Sequence, residues 1–394
     1  MVSVIEVQNL HQLAACRDVW HELLRETPGA TFFQTPEWLE CYWRHYGAGQ
    51  QLRVLVVMDG DALVGILPLV IRREKTKAGT VRFLTYPLDF WGSFYGPIGP
   101  RPSDTLQLGL EYLRKGSREW DAIELRWVDH EGADQGQTVA AMTACEAPPI
   151  SYVRQETALI DLNGTWDDYL AARTSKWRNN YRRWTKRLAE LGTVEYHRYR
   201  PFGRAARDDD PRWDLYAACE DIARSSWQGS STNGTTLSHE AVRPFLREAH
   251  AAAARLGCLD LNMLYVDGRP IAFAYNYHYE GSVFGLRIGY DPAIASTGVG
   301  NLMYLHAIEN SFQRGDRLYD MGPGSLDCKR DLLTRVQPIY FCSYYEPWSI
   351  KAQLLRAKRL LDNRQGANST SALIAAPIVA LAVEASAAEF VNLW

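Results

Sequence analysis

Two Asp-Gly turns constrain the fold of this chain more than any other feature. Asp59 and Gly60 lie between the apolar runs LRVLVV and ALVGILPLVIRR, and Asp267 and Gly268 lie between LDLNMLYV and PIAFAYNYHY. An Asp-Gly pair between β-rich runs is typical of a tight hairpin. In both halves of the chain a further strand, a helix and another strand follow the hairpin. Because this repeat is about half the chain long, it predicts two tandem units rather than a solenoid.

The repeated order of strands and helices predicts a duplicated α/β fold with a mixed sheet. At 394 residues the chain has room for two such units. We assign residues 1–162 to an N-terminal half, 163–346 to a C-terminal half and 347–394 to a helical extension. The most apolar stretch, residues 372–383, lies in this extension. It is shorter than the about 20 residues that a membrane-spanning helix needs, so we expect no transmembrane segment.

Composition and short motifs exclude several classes of protein. The chain has 43 basic and 46 acidic residues, so its net charge of −3 gives no general attraction to DNA. Its seven cysteines are scattered and never form a CxxC pair, which argues against a disulfide framework or a structural zinc site. The motifs HExxH, GxSxG, GxxxxGKS/T and GxGxxG are absent. We therefore expect no metal and, because the sequence starts without a secretory signal, a cytoplasmic protein.

The segment SVFGLRIGYDPAIASTGVGNLMYLHAIENSF predicts a strand, a glycine-bearing loop and a helix. Gly285, Arg287 and Gly289 fall on one face of the strand, where the glycines leave room for a ligand or another backbone. After Gly298, the free N–H groups at the helix start and the helix dipole would favour a phosphate. Glycines that serve only the turn are the alternative.

Four segments, in their order along the chain, resemble those of a known family. They are SKWRNNYRRWTKRLAELG, SSWQG, VDGRPIAFAYNYHYEG and GYDPAIASTGVGNLMYLHAIENSFQRGDRLYDMGPGSLDCKRDL. Together they resemble the CelD-type branch, associated with cellulose biosynthesis, of the GNAT acyltransferase superfamily. The resemblance runs from about Phe32 to Tyr345 and implies a tandem GNAT fold, which is also similar to the FemAB-type aminoacyltransferases.

The resemblance also implies a site for acetyl-CoA or another acyl-CoA. In that superfamily the strand before the glycine loop flanks the pantetheine arm, and the loop amides hold the pyrophosphate. Carried over to this sequence, the arm would lie along Arg287, Ile288 and Gly289, and the pyrophosphate would lie on Thr297, Gly298, Val299 and Gly300.

Three residues are candidates for the chemistry of acyl transfer, which needs a proton acceptor and a donor to the oxyanion. Asp320 stands at the carboxyl end of a predicted strand, where open α/β sheets place ligand groups. Lys329, in LDCKRD, could bind an anionic acceptor or the oxyanion, and Tyr290 is a further acid or base candidate. The alternative is structural: an Asp320–Lys329 ion pair and a tyrosine in the core.

The segment RTSKWRNNYRRWTKRLAEL predicts a helix whose charge is almost entirely positive. Its aromatic residues recur at helical spacing, which is typical of a stripe that faces the core. Arg178, Arg182 and Arg183 are candidates to bind an anionic substrate, and a solvated helix face is the alternative. Trp227 and His278 are further candidates for the acceptor site.

We expect an acyltransferase that moves an acetyl or other acyl group from acyl-CoA to an amine or hydroxyl of a sugar or other small molecule. Its place in polysaccharide or envelope biosynthesis rests on the resemblance alone. Two alternatives remain open. One is a catalytically silent GNAT-like accessory protein of polysaccharide synthesis, and the other is a FemAB-like transferase that uses aminoacyl-tRNA, with the basic helix as the tRNA contact.

Overall fold

A computed structural model describes residues 2–366 except 61, 90, 117 and 232–235, and without the side chains of residues 227 and 363–366. Within these residues twelve strands form one mixed sheet. The strands are β1 (Val2–Val7), β2 (Gln51–Asp59), β3 (Ala62–Thr76), β4 (Gly79–Thr85), β5 (Ala122–Val128), β6 (Ile150–Asp161), β7 (Val194–Tyr199), β8 (Leu259–Val266), β9 (Arg269–Tyr279), β10 (Ser282–Tyr290), β11 (Leu318–Pro323) and β12 (Arg335–Tyr345).

Helices connect these strands and cover the sheet. Several begin at capping residues: Thr35, just before Pro36, accepts a hydrogen bond from the Trp38 amide, and Thr174 accepts one from the Trp177 amide. The helices are α1 (Leu10–Ala15), α2 (Arg17–Arg25), α3 (Pro36–Tyr46), α4 (Pro102–Lys115), α5 (Gln137–Ala144), α6 (Trp166–Ala171), α7 (Ser175–Ala189), α8 (Trp213–Ser225), α9 (Arg243–Leu256), α10 (Val299–Arg314) and α11 (Ile350–Gly366).

The strand order is symmetric about the centre of the sheet. On one side of the centre lie β12, β5, β4, β3, β2 and β1, and on the other lie β6, β11, β10, β9, β8 and β7. Each strand of the first half therefore has a counterpart in the second half, from β1 with β7 through to β6 with β12. The two matching pairs β4–β5 and β10–β11 are parallel, whereas the other neighbours are antiparallel. This symmetry confirms the predicted duplicated α/β fold with a mixed sheet.

The last strand of each half has exchanged places with its counterpart. β6 pairs with β11 of the second half, and β12 pairs with β5 of the first. Ala122 at the start of β5 pairs with the last residue of β12, just as Leu318 at the start of β11 pairs with the last residue of β6. Two residues further along each strand, Glu124 and Asp320 are therefore counterparts.

The parallel strands β10 and β11 pair only briefly and then part. Their register runs from Ser282 opposite Leu318 to Phe284 opposite Asp320. Beyond this point β10 bulges between Gly285 and Arg287. A β-bulge bends a strand and ends its regular pairing, so an opening forms between β10 and β11 in the interior of the sheet.

Aromatic side chains from the first half pack against the second half beside this opening. The Phe32 and Tyr277 rings lie 4.4 Å apart between centroids, and the Phe33 and Phe284 rings lie 5.7 Å apart. Trp38 meets Phe245 of α9 in the same cluster, at 5.1 Å. Pairs of this kind contribute about 0.5–1.5 kcal/mol each beyond their buried area, so the two halves are firmly joined next to the opening.

Candidate active site

A narrow cleft lies between β10 and the segment that follows β4. Both halves of the chain line it, because the first half supplies a loop over the opening in the sheet of the second. The lining residues are Phe33, Trp91, Gly92, Ser93, Phe284, Gly285, Leu286, Arg287 and Pro323.

Asp320 is a buried carboxylate behind the wall of this cleft, with only 1% of its surface exposed. Its Oδ1 accepts hydrogen bonds from the Gly322 amide at 2.8 Å and from the Thr157 hydroxyl. Ser93, which lines the cleft, also interacts with the carboxyl, but Oδ2 has no hydrogen bond of standard geometry among the described residues. Burial raises the pKa of Asp320, although Ser93, Thr157, the Gly322 amide and Lys329 oppose the shift. Asp320 therefore has an unused acceptor atom and an increased affinity for a proton.

Lys329 lies beside Asp320 and is also buried, with 5% of its surface exposed. Its ammonium donates hydrogen bonds to the carbonyls of Gly322 at 2.6 Å and of Pro323 at 3.4 Å. Burial lowers the pKa of Lys329; the Asp320 charge opposes this shift. Among the described contacts the two side chains are linked through the turn at Gly322 rather than by a direct ion pair. The structure thus brings together two of the three residues that the sequence offers as candidates for the chemistry.

Arg287 adds a positive charge to the same cleft. Its guanidinium lies over the Trp91 ring, 4.3 Å from the centroid. Burial lowers the pKa of Arg287 to about 10, and the nearby Tyr304 hydroxyl opposes this shift. Arg287 also lowers the pKa of Lys329 by charge repulsion. Two cations are therefore held close together next to the opening.

The predicted phosphate loop presents free amides at the start of α10. Gly298, at φ +82°, begins the helix without a side-chain cap. Within the described part of the chain, the N–H groups of Val299, Gly300 and Asn301 have no acceptor. The Trp184 ring of α7 packs on Gly298, since a Cβ added there would lie 2.3 Å from its Cδ1. The backbone N–H groups of the loop are therefore available to a ligand, and α7 covers one side of the loop.

The β10 segment that is predicted to flank the acyl-CoA arm is partly enclosed. The side-chain amide of Gln228 donates a hydrogen bond to the Ile288 carbonyl at 3.1 Å. A Cβ added at Gly289 would lie 2.4 Å from the Phe273 ring and 3.1 Å from the Gln228 amide nitrogen. Gly289 is therefore needed for the packing of neighbouring side chains. Gln228 is hydrogen bonded to a backbone carbonyl beside the opening, so that carbonyl is not free.

At the corresponding position of the first half, arginine side chains bind the carboxylate. Glu124, the counterpart of Asp320, accepts hydrogen bonds from Arg126 at 2.7 Å, from Ser343 at 2.9 Å and from Arg359 of α11. Burial would raise the pKa of Glu124, but Arg359 and Arg126 outweigh this effect and lower it to about 2. Arg126 also makes paired hydrogen bonds of 2.8 Å to Glu74. This carboxylate is fully engaged, so only the second half offers an unused acceptor at this position.

Residues 175–330 match the model of the acetyltransferase (GNAT) domain. This segment is a GNAT acetyltransferase domain. It contains the loop before α10, Arg287, Asp320 and Lys329. The chain is therefore an acyltransferase.

Comparison with solved structures supports the same fold. FemX superposes with a TM-score of 0.55 at 11% sequence identity, over 86% of this chain and 96% of FemX. The C-terminal domain (DUF2156) of a putative lysylphosphatidylglycerol synthetase from Agrobacterium fabrum gives a TM-score of 0.53 at 11% identity, over 89% of this chain and 97% of that domain. At such identities the likeness concerns the fold alone. No curated protein matches the chain.

Two predicted residues of the GNAT domain lie away from Asp320. Tyr290 ends β10, six residues beyond Phe284, which corresponds to about 20 Å along a strand. Its ring packs on Gly300, where an added Cβ would be 2.8 Å from Tyr290 Cε1. His278 lies 3.4 Å from Asp316, which is also bound by Arg200. The structure thus places Tyr290 at the loop and His278 in an ion cluster, and neither lines the cleft.

The three arginines predicted to bind substrate have different surroundings on α7 of the GNAT domain. Arg178 binds the carbonyls of Ala171 at 2.9 Å and of Arg173, so it ties α6 to α7. Arg182 and Arg183 are exposed, and among the described residues each bonds to an asparagine one turn earlier, at 3.2 and 2.9 Å. Because α7 packs against the loop before α10, these two cations lie on a helix next to the candidate phosphate site.

Trp227 opens a short 3₁₀ helix, Trp227–Ser230, and its side chain falls outside the described part of the structure. The sequence did not indicate what the first half contributes to the candidate active site, namely Trp91, Ser93 and Thr157. The irregular aromatic segment around Trp91 was the available signal. Thr157 had none, because its strand pairs with residues far away in the sequence.

The described residues form neither a metal-binding cluster nor a membrane-spanning helix. Among them, no group of three or more His, Cys, Asp or Glu side chains could hold a metal ion. None of the helices they form combines the length and the apolar character needed to cross a bilayer.

Proposed function

We propose that this protein transfers an acyl group from acyl-CoA to an amine or hydroxyl of a sugar or another small acceptor, at the cleft between β10 and the segment after β4. The observation that carries the proposal is the buried Asp320 at the point where β10 and β11 part. Its unused Oδ2, the Ser93 hydroxyl at the cleft wall and two cations form one polar cluster within otherwise apolar packing.

The donor would lie on the C-terminal half, along β10 and the start of α10. The free amides of Val299, Gly300 and Asn301 suit the pyrophosphate, since a helix start with open N–H groups favours negative charge. Arg182 and Arg183 are near enough on α7 to add attraction for phosphates. The arm would run beside Arg287, Ile288 and Gly289, and Gln228 would have to release the Ile288 carbonyl for the arm to take its place.

Asp320 would act as the proton acceptor through Ser93. The acceptor nitrogen or oxygen attacks the thioester carbonyl carbon, and a carbon–nitrogen or carbon–oxygen bond forms. The proton lost by the acceptor passes to the Ser93 hydroxyl, whose own proton passes to Oδ2 of Asp320. Lys329 and Arg287 supply positive charge for the oxygen that becomes negative during attack. The carbon–sulfur bond then breaks, and the leaving thiolate takes the proton back from Asp320 through the Ser93 hydroxyl.

A family resemblance and an aromatic ring in the cleft bear on the acceptor class. The resemblance to the CelD-type branch supports a sugar in polysaccharide or envelope synthesis. The Trp91 ring in the cleft is suited to pack on the apolar face of a sugar. We propose a neutral or amino sugar as the first acceptor to be tested.

The test follows the thiol released from acetyl-CoA in the presence of amino sugars, simple amines and a metabolite extract. We expect thiol release that depends on the acceptor and that falls in Ser93→Ala and Asp320→Asn. Asp161→Asn is the matched control, because Asp161 is a partly exposed carboxylate on the neighbouring strand β6. Turnover that does not change in Asp320→Asn contradicts the proposal, and binding of acetyl-CoA without turnover on any acceptor favours the silent accessory protein.

The exposed cations of α7 favour a second candidate, transfer from aminoacyl-tRNA. Lys176, Arg182, Arg183, Lys186 and Arg187 are exposed on one helix and form no ion pair with any described acidic residue. A tRNA backbone would be held by such charges, and binding would weaken steeply with salt. Salt-sensitive binding of aminoacyl-tRNA that Arg182→Gln/Arg183→Gln abolishes would support this candidate; binding of acetyl-CoA alone would reject it.

A further inference from the structure

The helix α11, which follows the last strand, has two different apolar faces. One face packs on the sheet: Ala352 and Leu355 are buried against Val81 and Phe83 of β4. Arg359 on the same face binds Glu124, the Tyr345 hydroxyl at 2.8 Å and Ser343 at 3.4 Å. These contacts fix the orientation of α11 on the first half.

The opposite face of α11 carries large apolar side chains into solvent. Ile350, Leu354 and Leu361 are 76%, 57% and 57% exposed. Their spacing of four and seven residues places them in one stripe along the helix. Leu360 at its edge and Trp348, just before the helix, are 40% and 48% exposed. Because Arg359 anchors the other face, this stripe cannot turn inward without breaking the buried ion pair.

Cations lie along one side of the exposed stripe. Lys351 and Lys358 are both on this side, as the helical spacing requires. Lys77, in the turn between β3 and β4, lies so close to Lys358 that it lowers the pKa of that lysine. Asp362 is the one acidic side chain of α11. Like charges gathered with so little acidic compensation mark a place for an anionic partner.

We propose that this surface, formed by the apolar stripe of α11 and its flanking cations, docks the protein onto an anionic lipid bilayer. A helix that presents leucine and isoleucine beside lysines lies flat in the headgroup region of such a bilayer. The apolar stripe enters the acyl boundary, and the lysines meet the lipid phosphates. The inference goes beyond the proposed function and does not depend on it, since α11 covers the first half and not the cleft.

Vesicle flotation of the full-length protein tests this surface. The probes are vesicles of phosphatidylcholine alone and of phosphatidylcholine with about one third phosphatidylglycerol. We expect binding to the anionic vesicles only, with strong loss at high salt because exposed charges are screened. Lys351→Gln/Lys358→Gln should lower partitioning about 30-fold, since each lysine near such a surface contributes about 1 kcal/mol. Leu354→Glu/Leu361→Glu should lower it at least tenfold.

Two control variants show whether vesicle binding depends on α11 itself. Phe202→Glu introduces one glutamate at an 81% exposed aromatic residue outside α11 and should leave binding unchanged. Arg182→Gln/Arg183→Gln removes charge from α7 and should also leave it unchanged. Thermal unfolding verifies that each variant is folded. The proposal is overturned if wild type does not prefer anionic vesicles, if binding survives in both α11 variants, or if sedimentation shows a dimer that Leu354→Glu/Leu361→Glu dissociates.

Discussion

At the scale of single residues, two carboxylates in matching positions have opposite environments. Glu124 and Asp320 each stand two residues into the fifth strand of their half. Glu124 is held as an anion by Arg126 and Arg359, which lower its pKa to about 2. No arginine of the described part of the chain is hydrogen bonded to Asp320, and burial raises the pKa of Asp320. The duplication thus leaves one position structural and the other chemically available.

The first residue-scale prediction concerns Asp320. Asp320→Asn should lower kcat by roughly 10²- to 10⁴-fold with little change in donor affinity, because it removes the proton acceptor and not a binding contact. A base must be ionised to accept a proton. Since the pKa of Asp320 is raised, the rise of wild-type kcat with pH should occur at a higher pH than for an ordinary aspartate. Steady-state kinetics against pH checks this, and a profile that is flat through the acidic limb contradicts the assignment.

The second residue-scale prediction concerns Glu124. Its pKa falls from 4.5 to about 2 on folding, so it contributes stability that is present above about pH 4.5 and lost as the pH falls toward 2. A shift of this size corresponds to about 3 kcal/mol. Arg359→Met should therefore destabilise the protein at pH 7, and Glu124→Gln/Arg359→Met should cost less than the two single losses combined. Urea unfolding at pH 7 and pH 3 measures this, and additive losses would exclude a coupled pair.

At the scale of elements, the local sequence pattern predicts the two hairpins and α10 but not the exchanged strands β6 and β12. β2–β3 and β8–β9 follow from their Asp-Gly turns, and α10 follows from the glycines before it. β6 and β12 are missed because β6 mixes polar and apolar residues and β12 contains Pro338. Their pairing partners lie far away in the sequence. Asp320 and Lys329 could be predicted because both lie within one local segment. Ser93 and Thr157 come from other elements, so only the tertiary fold brings them to Asp320.

The element-scale prediction concerns the junction between α7 and α10. Gly298 has φ +82°, and a Cβ there would lie 2.3 Å from Trp184 Cδ1. Gly298→Ala should lower stability by about 1–3 kcal/mol, because it adds both backbone strain and a clash with the indole. It should also weaken acyl-CoA binding, since the free amides that follow would shift. Gly298→Ala/Trp184→Ala should lose less stability than the sum of the single variants. Thermal unfolding measures the stability, and calorimetric titration measures acyl-CoA binding. If the double variant loses as much stability as the two single variants together, the indole does not press on this loop.

At the scale of the whole molecule, neither half contains its own complete sheet. The first half lacks a strand beside β5 unless β12 supplies it, and β11 depends on β6 in the same way. Each exchanged strand also supplies a hydroxyl to a carboxylate of the other half: Thr157 of β6 binds Asp320, and Ser343 of β12 binds Glu124. The boundary at residue 162 stays a prediction about sequence organisation, whereas the sheet runs through both halves without a break.

This exchange predicts that residues 1–162 and 163–394, produced separately, will not unfold cooperatively on their own but will do so once mixed. If β6 folded back beside β5, Glu124 would meet Leu159 in place of the Ser343 hydroxyl, since these two residues occupy matching positions in the exchanged strands. Asp320 would at the same time lose the Thr157 hydroxyl. A matched control is the intact chain with a protease site inserted between Asn163 and Gly164, a turn exposed to solvent. After cleavage this protein should keep its melting temperature and acyl transfer, because the strands have already exchanged. Cooperative unfolding of either fragment alone, measured by calorimetry, would show that a half can complete its sheet with its own strand.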